Sequence, residues 1–201
     1  QYSYDLPGRM AQIFYPDTPD TPAVTNTYDS FSRVQTQTSI NGGQWVYFFA
    51  GSRSEEVDPL GTRHVLYNTP RGKTRLEVLD FDPAKATSQQ VLTNNVYDSL
   101  DRLVQTTAPE GNSVSFTYDI ASNPLTSTQT PKPGSPLSPL VTITTWDPIF
   151  NKPMSVTDPR GLVTRMAYDS ITGNLVAALA DANGIAARTQ YGYDSRGLLA
   201  S

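Results

Sequence analysis

The chain has 201 residues, a formal net charge of −4 and a pI near 4.9, so it lacks the basic excess that nucleic-acid or anionic-membrane binding requires. It has no Cys, which excludes a disulfide framework and thiolate metal ligands, and no apolar run approaches the roughly 18 residues of a membrane-spanning helix. Its hydrophobic content is 37% and its mean hydropathy −0.40, which is modest for a thick core. With 16 Pro, 13 Gly and few Glu, the inventory favours turns and thin sheets, and an all-β chain is expected.

In chain order, one signature recurs. YDLPGRM begins at Tyr4-Asp5, YDSFSRV at Tyr28-Asp29, YDSLDRL at Tyr97-Asp98, YDIASNPL at Tyr118-Asp119, YDSITGNL at Tyr168-Asp169 and YDSRGLL at Tyr193-Asp194. Two degenerate copies, YNTPRGK at Tyr67 and WDPIFNKP at Trp146, fill the gaps, and the second positions are then 21 to 39 residues apart. A second signature lies between them: DPLG at Asp58 to Gly61, APEG at Ala108, DPRG at Asp158 to Gly161 and the relaxed DANG at Asp181. Periods of this kind mark arrays in which each unit buries its surface only against its neighbours.

Asp158 to Val176 shows what one unit does. In DPRG, Pro159 presets φ near −65° and Gly161 accepts the angles that close the turn. Leu162 to Tyr168 then alternates apolar with polar residues as a half-buried strand does, the polar cluster from Asp169 to Asn174 turns the chain, and LVAAL resumes extended structure. This pattern predicts more than a dozen short antiparallel strands, in hairpins closed alternately by the two signatures. Tyr15 to Pro22 and the Pro-rich Thr130 to Pro139 read as loop insertions, the latter exposed and mobile. Asn41-Gly42 predicts a tight turn before the apolar strand QWVYFFAG, and Asp82 to Gln90 is the one place suited to a helical turn.

Repeated Tyr-Asp copies with Asp-Pro-x-Gly partners resemble the RHS/YD-repeat family. The resemblance covers essentially the whole chain, and its specificity lies in repetition. It implies β-hairpins stacked side by side in a long, curved or spiralling sheet. In complete members that sheet closes into a shell around a C-terminal toxin effector, and in animal relatives it forms part of an adhesion receptor. Residues 1–201 then read as a single continuous array cut from something longer, with neighbouring repeats of the parent chain as its first partners. An enclosed toxin domain or surface carbohydrate would be a further partner. A secreted or cell-surface bacterial setting is expected, in keeping with the lack of Cys and of Asn-x-Ser/Thr sequons.

The motif residues have physical roles as scaffold. A Tyr at a strand end offers a ring for stacking along the sheet and a hydroxyl that needs a partner. The Asp accepts bonds from turn amides, and the Arg about four residues on, as at Arg9, Arg33 and Arg102, can pair with a neighbouring Asp or Tyr oxygen. No catalytic constellation is expected: His64 stands alone in a strand, and no nucleophile elbow is present. Asp181 to Gly184 lacks the later ligands of a calcium loop, so no metal or cofactor is expected. The family's aspartyl self-cleavage pattern, Pro-x-x-x-x-Asp-Pro-x-Gly-Leu, is matched by Pro153, Asp158, Pro159, Gly161 and Leu162. Repeats continue past it, and it reads as an ordinary turn. Trp45, Tyr47, Phe48 and Phe49 are the aromatic residues that could make a sugar platform, the alternative to sheet packing.

Overall fold

The computed structural model describes residues 1–200, and they are all-β as expected, with seventeen strands and one short 3-10 turn. Two compact units are distinguished, Gln1–Asn95 and Val96 onward. The first is an antiparallel meander of β1 (Tyr2–Leu6), β2 (Arg9–Phe14), β3 (Pro22–Tyr28), β4 (Val34–Ser39), β5 (Gln44–Ala50), β6 (Arg53–Val57), β7 (Arg63–Asn68), β8 (Thr74–Leu79) and β9 (Val91–Tyr97), each strand pairing with the next. The second runs in the same way through β10 (Leu103–Thr107), β11 (Ser113–Tyr118), β12 (Pro124–Thr130), β13 (Leu140–Trp146), β14 (Pro153–Thr157), β15 (Val163–Tyr168), β16 (Leu175–Ala180) and β17 (Ala187–Gln190).

Within each unit the strands pack against their sequence neighbours, and no second layer covers them. The buried apolar side chains among the described residues are accordingly few: Ala23, Val65 and Val78. Val65 and Val78 face each other across β7 and β8, where the connection from Asp80 to Gln90 folds back over them. The Phe81 amide donates to the Arg63 carbonyl, and the Gln90 side chain holds the Asp82 carbonyl at 2.6 Å. The helical turn in this connection is Thr87–Gln89. Burying a Val is worth ~2 kcal/mol, so this local core cannot order a sheet of such extent; the ladders and the contacts between successive hairpins carry the rest.

A meander places successive turns at alternate edges of its sheet. In both units every Tyr-Asp turn lies at one edge, and the DPxG turns lie at the other with the longer connections. Those connections are residues 15–21 and 80–90 in the first unit and 131–139 and 181–186 in the second. The segment Pro131 to Pro139, expected as a free excursion, is exposed but anchored at one point. Lys132 Nζ meets Glu110 Oε2 at 2.9 Å, and Pro133 lies so close to Gly111 that a Cβ there would be 2.8 Å from its Cδ.

Candidate functional site: the Tyr-Asp edge

The two sequence signatures fold into one turn. At Asp29 the cap amide donates to the Arg33 carbonyl, the Ser32 amide returns to the Asp29 carbonyl, and Oδ1 accepts the amides of Phe31 and Arg33. Asp58 makes the same bonds with Thr62, Gly61 and Leu60. Asp98 and Asp119 repeat the pattern at one edge of the second unit and Asp158 at the other, and Asp194 repeats it near the end. Asp147 and Asp169 accommodate one further residue.

The residue before the one that closes the turn has positive φ, as at Gly61 (φ 87), Gly161 (φ 83), Ser32 (φ 60) and Ser122 (φ 69). Ser39 and Thr69 cap two more such turns, with Gly42 and Gly72 at the left-handed position. Thr69 therefore takes the role read at Asn68 from YNTPRGK, one residue earlier. Asn68 ends β7, because Thr-Pro-x-Gly supplies the turn chemistry.

The edges differ in how the chain leaves the turn. DPxG hairpins are flush, with Val57 opposite Arg63 and Glu56 opposite His64, or Thr157 opposite Val163 and Val156 opposite Thr164. Tyr-Asp hairpins carry a one-residue bulge on the returning strand. Tyr28 pairs with Val34 but Thr27 with Thr36, Tyr118 with Pro124 but Thr117 with Thr126, and Tyr168 with Leu175 but Ala167 with Ala177. A bulge breaks the ladder locally and re-aims the backbone. The carbonyl just before the bulge is met by the aromatic residue of the next repeat. The Tyr118 hydroxyl donates to the Leu103 carbonyl (2.7 Å), Tyr168 to Pro153 (2.7 Å), Tyr193 to Leu175 (3.0 Å) and Trp146 Nε1 to Pro124 (2.9 Å). In the first unit Tyr28 donates to the Met10 carbonyl (2.6 Å), to which Asn26 Nδ2 also donates.

The residue closing each turn completes the link. Arg102 donates through Nε to its own cap Asp98 (2.7 Å), lies over the Tyr118 ring (4.7 Å) and donates through Nη1 to the Asp119 carbonyl and the Ser122 hydroxyl. Arg9 likewise pairs with Asp5 and lies over Tyr28 (4.8 Å). Lys152 reaches the Tyr168 ring and the Gly173 carbonyl (2.6 Å), and Asn123 donates to Asn151 Oδ1 (2.6 Å). The guanidinium thus meets its own Asp and the next ring face, not the next tyrosine's oxygen, and the Tyr rings do not stack on one another. The ring pair that does form is Phe116 with Tyr118, at 6.5 Å. Tyr4 and Asp5 depart from the pattern. Both lie within β1, whose hairpin closes at Pro7 and Gly8, and Tyr4 is exposed.

Residues 97–133 match the family model of the RHS repeat, and they contain the Asp98, Ala108 and Asp119 turns together with the Arg102–Tyr118 contact. The crystal structure of TcdB2-TccC3 superposes on this chain with a TM-score of 0.75 at 16% identity, over 97% of this chain and 11% of that one. The Tc holotoxin pore of Photorhabdus luminescens carrying a TccC3 mutation gives 0.70 at 17%, over 96% and 11%. A TcdB2-TccC3-TEV crystal structure gives 0.71 at 17%, over the same shares. The likeness is one of fold, and the chain spans about a tenth of the length of these structures. No curated protein matches the chain in sequence.

Five turn carboxylates of the second unit, Asp98, Asp119, Asp158, Asp169 and Asp194, are held in structural bonds. At Asp158 the Arg160 guanidinium, with the Leu162 and Arg160 amides, holds the carboxyl below the usual carboxylate range. That is the behaviour of an ionised turn cap. Asp98 is lowered chiefly by the Arg102 amide, Asp119 by the Asn123 side chain, Asp169 by the Thr172 amide and Asp194 by the Leu198 amide.

Glu55, only 6% exposed, is clamped between Arg53 and Arg63 (2.9 Å). His64 Nε2 meets Glu77 Oε1 at 2.7 Å. Among the described residues no group of three or more His, Cys, Asp or Glu is placed to hold a metal. Asp181 instead accepts the Ile185 amide (3.0 Å) in a turn of its own.

Proposed function

We propose that these residues are wall material: a scaffold segment of a larger RHS-repeat shell in a bacterial toxin-type protein, secreted or surface-borne, that encloses or presents a C-terminal effector. The observation carrying this reading is the clasp at the Tyr-Asp edge. Each repeat spends its hydroxyl, its cation and its bulged carbonyl on the adjacent repeat, an arrangement that extends a sheet. The matched solved structures include a Tc holotoxin, which is the source of the toxin-type setting. On this reading the motif residues from Tyr4 to Asp194 are structural. Residues 1–201 form one continuous array, with insertions near 15–22 and 130–139, whose partners are the repeats beside it. Among the described residues no helix is long and apolar enough to cross a membrane.

Carbohydrate binding gains no support from the aromatic strand. Phe49 lies under the Arg33 guanidinium (4.5 Å), and Trp45, Tyr47 and Phe49 alternate with Val46 and Phe48 along β5, so the four aromatic rings do not share one face.

The test joins the chain to the sequence that follows it in its gene and digests the product with protease. Protection of the downstream part, lost when residues 97–133 are deleted, is expected. Equal sensitivity with and without the deletion refutes enclosure, and micromolar binding of a defined glycan by the isolated chain would assign it to the carbohydrate-binding class.

A further inference from the structure

The clasp is incomplete between the Asp169 and Asp194 turns. Arg102 and Lys152 each close a turn and lie over the tyrosine ring of a following repeat, Tyr118 and Tyr168. The residue closing the Asp169 turn is Asn174, and among the described residues no Lys or Arg lies over the ring of Tyr193, the next in the series. A cleft of about 460 Å³ remains there. Its lining includes Asp169, Thr172, Asn174, Tyr191, Tyr193 and Asp194, and no Lys or Arg. Asn123 also stands in a cation's place, but its side chain is 7% exposed and bonded to Asp119 Oδ2 (2.9 Å) and Asn151 Oδ1 (2.6 Å), so that gap is closed. Asn174 bonds to the described residues through its backbone alone.

The acceptors that a cation takes elsewhere are left over in this cleft. Arg102 Nε donates to Asp98 Oδ2, and its Nη1 to the Asp119 carbonyl. At the Asp169 turn, Oδ1 collects the Ile171 and Thr172 amides and the Thr172 hydroxyl, while Oδ2, the counterpart of the oxygen that Arg102 meets, takes no bond from a described residue. The Asp194 carbonyl, the counterpart of that of Asp119, receives the Gly197 amide and no side chain among the described residues. The Thr172 amide and hydroxyl hold the Asp169 carboxyl below the usual carboxylate range, so it is charged at neutral pH. The Asp194 carboxylate is matched by Arg196 (2.9 Å), and Lys152 is committed to the Gly173 carbonyl and the Tyr168 ring, which leaves the charge of Asp169 without an ion pair.

The geometry assigns this cleft to an external guanidinium, the side chain of an arginine on another segment of polypeptide, standing where Arg102 stands two turns earlier in the same edge. A planar fork can meet Asp169 Oδ2 and the Asp194 carbonyl while its face lies on the Tyr193 ring, which a compact ammonium does less well. One cation on one ring and one carboxylate in an open cleft gives a dissociation constant on the order of 1 mM for the isolated group. The inference concerns a single pair of turns and does not rest on the shell.

The test titrates N-acetyl-argininamide into the isotope-labelled chain and follows the backbone amide resonances. The amides of Asn174, Asp194 and Ser195 are expected to shift along one binding curve, and N-acetyl-citrullinamide, the neutral isostere, is expected to bind about ten-fold more weakly or not at all. Asn174→Lys supplies the cation from within, as Lys152 does at the preceding turn of the same length. It is expected to weaken the arginine probe about ten-fold or more and to raise the urea midpoint. If that variant fails to fold, Asp169→Asn, which keeps an oxygen for the turn amides and removes the charge, decides in its place and is expected to weaken the probe to the level of citrulline. Equal shifts from the arginine and citrulline probes overturn the inference. So do cleft amides that stay still at about ten times the expected dissociation constant, or binding that survives Asn174→Lys unchanged.

Discussion

The two edges of the second unit use the same turn for different ends. At the DPxG edge, Pro159 and Gly161 make closure inexpensive, the hairpin is flush, and Arg160 returns to its own cap, Asp158. At the Tyr-Asp edge the left-handed position is Gly173 or Gly197 in two turns but Asp101, Ser122 or Asn151 in the others, residues that cost roughly 1 kcal/mol more there than Gly. Two of these side chains receive the preceding repeat: Ser122 accepts from Arg102, and Asn151 accepts from Asn123. At Ser122 and Asn151 a left-handed backbone coincides with a side chain that links repeats. One edge closes hairpins; the other joins them.

Four predictions test this division, from the largest effect to the smallest. Tyr118→Ala removes the ring beneath Arg102 and the hydroxyl on Leu103, and is expected to lower stability by ~2–4 kcal/mol. Tyr118→Phe, losing only the hydrogen bond, should cost ~1 kcal/mol, and Tyr4→Phe, at an exposed hydroxyl, should cost nothing measurable in urea denaturation. If Tyr118→Phe were as silent as Tyr4→Phe, the bulged carbonyl would not need its partner.

Gly111→Ala and Gly161→Ala share a φ near 84° and hence a strain of ~1–2 kcal/mol. A Cβ at 111 also meets Pro133, whereas at 161 it meets nothing within 4 Å. Gly111→Ala is therefore expected to cost ~1 kcal/mol more, and equal losses would mean that the Pro-rich connection yields freely.

The third prediction concerns acid. Asp98, Asp119, Asp158, Asp169 and Asp194 titrate lower folded than unfolded. Their contribution is fully present above the ordinary carboxylate pKa of about 4 and is lost as pH falls through the lowered folded values. The urea midpoint should hold from pH 7 to about 5 and drop steadily below about 4, and Asp98→Asn should flatten that drop. The smallest effect is expected from Ser122→Gly, where relief of strain offsets the lost acceptor and the net change stays within about 0.5 kcal/mol.

Strands, turn positions and the all-β class were legible because period-2 alternation and turn residues are local signals. Asp29, Asp58 and Asp158 are caps where their signatures place them. Trp146 stands in for Tyr, since an indole N–H can donate as a phenol does. Three things were not legible. The identity of the two turns is hidden because Gly and Ser or Asp are unlike as residues while sharing a backbone conformation. Ser39 and Thr69 escape a search for Asp, although Ser-x-x-Gly and Thr-Pro-x-Gly at Gly42 and Gly72 carry the same spacing. The clasp spans repeats, as from Trp146 to the Pro124 carbonyl, and depends there on a bulge at Leu125 that no residue type announces.

The central claim, that coupling between repeats resides at the Tyr-Asp edge, is tested most directly by a double-mutant cycle on Arg102→Met and Tyr118→Leu in urea denaturation of the whole chain. A coupling energy of about 1 kcal/mol is expected, from a cation over a ring face joined to shared hydrogen bonding. Additive losses within about 0.3 kcal/mol would contradict the account, showing that the two residues stabilise their own hairpins independently.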